Sequence, residues 1–169
     1  MDAMEGWGEF AVAAAGATGA LAGLVIVAIS VNVTRIAASK PLVAGAAGTI
    51  ASLVQGVVAS LLVLIPEQSR AALATELLVS TLIAAAFYVR AIAIDVGAYR
   101  RRDGMTGPIL AMVIALSVVQ YAPFLIACGM LFADLPTGLF AVAGGVILLV
   151  AVSMLNAWLL LIEVVRGNE

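Results

Sequence analysis

Long apolar runs separated by short polar clusters recur along the whole chain. Runs that are apolar on every face and about 20 residues long predict helices that cross a bilayer. The pattern marks five of them, at 10–33, 42–65, 71–96, 108–132 and 137–165. Barrel strands would instead show about ten residues of alternating polarity, which these runs lack. The expected fold is therefore all-α: a polytopic transmembrane helix bundle of five spans, with residues 1–169 forming one domain.

Composition supports lipid as the solvent. Hydrophobic residues make up 64% of the chain, charged residues 11%, and the mean hydropathy is +1.21. A soluble domain needs about a quarter charged residues, so that class is excluded. Asp2, Glu5 and Glu9 stand ahead of the first run, where a cleavable signal would carry basic residues.

Charge distribution predicts orientation. Arg35 and Lys40 fall in the first loop, Arg100, Arg101 and Arg102 in the third, and Arg166 in the C-terminal tail. On the opposite side the only basic residue is Arg70, in the second loop. The positive-inside rule then places the N-terminus outside and the C-terminus in the cytoplasm. Trp7 and Phe10 would mark the outer interface, and Tyr99 the inner one. Arg100, Arg101 and Arg102 are expected to contact anionic lipid; three residues are too few to argue for nucleic acid.

Small residues predict close helix packing, because helices in lipid associate through van der Waals contact rather than a hydrophobic drive. Gly19 and Gly23 form a GxxxG pair in the first run. Gly48, Ser52, Gly56 and Ser60 repeat at spacings of four in the second, making a groove along one side. Either groove serves packing within one bundle or an interface between subunits. Short-looped helices make a thin bundle, so a homo-oligomer or a larger membrane complex is expected.

Polar residues inside the apolar runs are the candidate site, since such groups are costly in lipid. Arg90 and Asp95 lie in the third run, and five residues put them about 140° apart. The expected partners are Glu163 or Asn156 for Arg90, and Arg35 or Arg166 for Asp95. Gln55, Gln120 and Asn156 form a second level near mid-membrane, and Asn32 ends the first run. Pro123 follows Gln120 by three residues and frees the carbonyl of Val119, which makes either a bend or a binding nook. These seven residues (Arg90, Asp95, Asn32, Gln55, Gln120, Asn156 and Glu163) either form closed structural pairs or line an ion path.

Catalytic chemistry is not indicated. There is no histidine, and Cys128 is the one cysteine. No Gly-rich phosphate loop, zinc-protease motif, paired-cysteine motif or nucleophile elbow occurs. No catalytic residue, metal ligand or cofactor is expected.

The first run reads Trp7-x-x-Phe10, Gly16, Ala20-Leu21-x-Gly23-Leu24, Val27-Ala28-x-Ser30-x-Asn32. It resembles a family of small integral-membrane proteins common in actinobacteria, sometimes labelled "modulator of FtsH protease". That resemblance implies a multi-pass protein of the bacterial plasma membrane with an accessory role beside a membrane-bound protease. Leu21-Ala22-Gly23 followed by Val27-Ala28-Ile29 is also similar to the pore helix of the Orai calcium channels, although Val31 stands where a pore acid would be needed. The sequence thus reads as an oligomeric accessory or structural membrane subunit, with a small homo-oligomeric ion channel or transporter as the alternative.

Overall fold

Uninterrupted apolar runs leave the backbone only its own hydrogen bonds, and the described chain folds into helices throughout. The computed structural model describes residues 6–100 and 107–166, the side chains of residues 95–96, 98–100, 107–114, 117–118 and 165–166 excepted. The helices are α1 (Trp7–Val31), α2 (Val33–Ala37), α3 (Lys40–Val63), α4 (Arg70–Arg100), α5 (Gly107–Phe132) and α6 (Gly138–Arg166). No strand occurs among the described residues. Four helices, α1, α3, α4 and α6, are long and apolar enough to cross a membrane; in α5 the described apolar stretch, Val119–Phe132, is shorter.

Local chemistry sets the breaks. The amide of Asn32 donates to the carbonyl of Ala28 at 2.9 Å, and its backbone N–H goes to Ile29 rather than continuing the α1 ladder. The chain restarts as the five-residue α2, whose Ile36 is buried with Leu160 and Val164 of α6. The run expected at 10–33 is α1, ending at Val31, and the expected first loop contains the short α2. Pro41 sits in the first turn of α3, where its missing N–H costs nothing. At the start of α4 the Ser69 hydroxyl accepts the Ala72 N–H, a side-chain cap. No proline interrupts residues 70–100, and α4 continues to Arg100, past the expected end at 96.

α5 closes on a Schellman turn. Leu135 N–H bonds the Met130 carbonyl at 2.9 Å, and Asp134 N–H bonds Leu131 at 3.0 Å. Asp134 takes the left-handed conformation (φ 59°) that the turn demands. Its carboxylate pairs with Arg70, joining the start of α4 to the loop before α6 at one end of the molecule. Trp7 stacks edge-on against Phe140 at 4.7 Å and brings the start of α1 to that same end. Asp134 is 81% exposed, so Asp134→Asn is expected to cost under about 1 kcal/mol in thermal unfolding.

α3, α4, α5 and α6 form a ring, each packed on the next and α6 packed back on α3. α1 lies outside that ring, against α3 and only slightly against α6. Half of α3's apolar window is buried but only 17% of α1's, which makes α3 the central helix and α1 the peripheral one. The core proper is built from Leu73, Leu77, Phe124, Leu131, Leu139 and Leu149, all under 3% exposed. Large apolar side chains cover the outside, among them Leu24, Phe87 and Phe140. Such a surface is suited to lipid.

The small-residue grooves have different fates. A Cβ on Gly48 would sit 3.2 Å from Ala91 of α4. One on Gly56 would sit 3.1 Å from Thr18 of α1 and 3.4 Å from Leu149 of α6. The α3 row is thus spent within the bundle. Thr18, Thr49 and Ser60 donate their hydroxyls to carbonyls of their own helices and act as small packing residues. Gly19 and Gly23 face away from the bundle, with nothing within 4 Å of an added Cβ.

Candidate functional site

A layer of neutral polar side chains crosses the middle of the ring. The pairings run between helices. Ser52 on α3 meets the Tyr121 hydroxyl on α5 at 3.0 Å. Gln55 on α3 donates to Thr81 at 3.0 Å and to Ser80 at 3.3 Å, both on α4. Asn156 on α6 donates to the Tyr88 hydroxyl on α4 at 3.0 Å. The Tyr88 and Tyr121 rings touch edge-on, 5.8 Å apart, and link the first and third pairs. All four ring helices are thereby tied, over about two turns of α4.

Two members stand apart. Gln120 and Ser153 are wholly buried, and neither the amide atoms of Gln120 nor the Ser153 hydroxyl meets a protein partner. α5 runs through Pro123 without a break. The carbonyl of Val119, deprived of its helical donor by Pro123, is not taken up by the Gln120 amide. Val119 is itself 45% exposed.

Of the residues singled out from sequence, Gln55 and Asn156 join this paired layer. Gln120 shares its level but not its bonds. Asn32 does not join an inner cluster with Arg90; it ends α1, as its bond to Ala28 shows. Arg90 is exposed on α4 and makes no ion pair among the described residues, while Asn156 is taken by Tyr88. The expected Arg90–Asn156 contact is thus replaced, and no ion pair joins Arg90 to Glu163, which is exposed and engaged elsewhere. The side chains of Asp95, Arg100 and Arg166 lie outside what the structure describes, as do residues 101 and 102 altogether.

The position of Arg90 has a physical reason. Glu76, which accepts from Gln68 at 2.6 Å, is a charge of the same helix nearer its other end. Fourteen residues separate the two, about 21 Å of helix, against roughly 30 Å of hydrocarbon. Each charge therefore lies within about a turn of an interface, near enough for its side chain to reach the headgroups. Arg90→Ala is accordingly expected to change thermal stability in detergent by under about 1 kcal/mol. A buried pair would lose about 3–5 kcal/mol.

Tyr88, Tyr121, Ser80 and Thr81 were not marked by the sequence reading. One signal was available. Both tyrosines lie inside apolar runs rather than in an interfacial belt, and a buried tyrosine hydroxyl seeks a partner. Among the described residues no three His, Cys, Asp or Glu side chains come together to hold a metal. The layer offers hydroxyls and amides, suited to hydrogen bonding and without fixed charge. No family model, curated protein or solved structure matches the chain.

Proposed function

We propose that this chain is a five-span protein of the bacterial plasma membrane, N-terminus outside and C-terminus cytoplasmic, acting as an accessory or structural subunit of an oligomer or larger membrane complex. The observation that carries the reading is the closure of the polar layer. Ser52, Gln55 and Asn156 spend their hydrogen bonds on Tyr121, Thr81 and Tyr88, as residues that hold a bundle together do. An open conduction path would turn such groups toward water. The outward face of Gly19 and Gly23 supports association through α1, since it allows another helix to come close. Five passes are supported by the shared end of the second and fourth loops, which Arg70 and Asp134 join.

The channel or transporter reading keeps one observation in its favour: Gln120 and Ser153 present unpartnered polar atoms to the ring interior. Flux assays in proteoliposomes separate the two. An accessory subunit leaves monovalent and divalent ion leakage at the level of empty vesicles and co-purifies with a stable partner, a membrane-bound protease being the first to test. Ion flux that Gln120→Leu abolishes would establish the channel instead.

A further inference from the structure

The peripheral placement of α1 opens a cleft on the membrane-facing side. α1 leans on α3 and parts from α6, and between them lies an apolar cleft of about 270 Å³. Leu21, Val25 and Ile29 line one wall, and Met154, Trp158 and Leu161 the other. Ala28 and Ala157 give it depth. The cleft runs along α1 from Leu21 to Ile29, about 12 Å at helical rise. Its apolar lining suits a single hydrocarbon chain, about 4–5 Å wide at van der Waals contact. Left unfilled, the cleft would deprive its lining atoms of dispersion partners.

Charge at the mouth of the cleft completes the argument. Beyond Ile29 the chain turns at Asn32 into α2, which is seated against the end of α6 through Ile36 and Leu160. Arg35 on α2 and Lys40 at the start of α3 are exposed at this end. The acid on the same stretch of α6 is Glu163, two residues after Leu161 and so about 160° around the helix from it, with an interaction of its own. Leu160, which is buried with Ile36, also lines the cleft, so Arg35, next to Ile36 in the chain, stands near that end of it.

We propose that the α1–α6 cleft is a site for one anionic phospholipid, an acyl chain lying between Leu21 and Leu161 and the phosphate held by Arg35 and Lys40. The site goes beyond the subunit reading and does not depend on it. Trp158 is a built-in reporter, and Trp7 stands at the opposite end of α1. The full chain carrying Trp7→Phe is reconstituted in phosphatidylcholine vesicles. These contain an equal minor fraction of either dibrominated phosphatidylglycerol or dibrominated phosphatidylcholine. Trp158 quenching is expected to show about a fivefold to thirtyfold preference for the anionic lipid, the ratio that one or both basic residues near an anionic headgroup supply. Arg35→Gln with Lys40→Gln should erase that preference without removing quenching. Ala28→Leu, which fills the cleft, should reduce quenching by both lipids. Equal quenching by the two lipids in the parent protein overturns the proposal, as does a preference that survives loss of Arg35 and Lys40. Absence of quenching by either also overturns it, and means that protein covers the cleft, such as a second copy of this chain.

Discussion

Gly56→Leu is expected to lower stability by about 3 kcal/mol or more, while Gly23→Leu leaves it within about 0.5 kcal/mol. Both replace a glycine in an apolar helix by the same residue, so helix propensity and lipid solubility change alike. Their surroundings differ. Gly56 lies where three helices meet, with Thr18 of α1 at 3.1 Å and Leu149 of α6 at 3.4 Å from an added Cβ. Leucine there must push at least one helix off α3, and overpacking costs about 1–3 kcal/mol, or more where the neighbours cannot yield. Around Gly23 an added Cβ meets nothing within 4 Å. Thermal unfolding in detergent reads the difference, at about 2–4 °C for each kcal/mol in a chain of this size. An unchanged midpoint for Gly56→Leu would refute the three-helix contact. Crosslinking of the Gly23→Leu protein in bilayers addresses association. Loss of oligomer at unchanged monomer stability would put a subunit interface on that face of α1.

Gln120→Met is expected to stabilise the protein by about 1–3 kcal/mol. Replacing a polar residue by an apolar one of similar length usually removes hydrogen bonds. Here the amide is wholly buried and meets no protein partner, so what is removed is the penalty of burying an unpaired polar group. The thioether keeps the volume, which avoids a cavity. Gln55→Met is the control and should go the other way. It forfeits the bonds to Ser80 and Thr81, worth about 0.6–1.7 kcal/mol between membrane helices. The pair is read by thermal unfolding in the same detergent. If Gln120→Met destabilises the protein, the amide has a partner of its own in the folded state, and the interior is a binding or conduction site rather than a closed layer.

The helical runs were legible because lipid imposes a simple condition: every backbone polar group must be satisfied within its own segment. Length and hydropathy alone therefore locate α1, α3, α4 and α6 to within a few residues. The break at Asn32 was less legible. An asparagine near the end of an apolar run reads equally as a cap or as a member of a polar cluster, and only its bond to Ala28 distinguishes them. The α3 row from Gly48 to Ser60 announced close packing, but spacing of four gives a face without naming what covers it. Its neighbours turn out to be α1, α4 and α6 of the same chain.

Pairing among the polar residues was not readable from sequence at all. Arg90 drew attention as the costliest group, yet it lies on the outside of α4, within reach of the headgroups. The groups that tie the ring are quieter ones, Tyr88, Tyr121, Ser52, Ser80 and Thr81, whose apolar bodies blend into the runs around them. The apolar solvent, the helical class and the places of close packing follow from composition and from spacing along one helix, and so can be read residue by residue. The tertiary structure decided which helix is central, which glycines are spent inside the bundle and which hydroxyl meets which amide. Those outcomes depend on the rotation and tilt of each helix against its neighbours, and in lipid, where no hydrophobic drive orients a uniformly apolar helix, only the fit of side chains selects them.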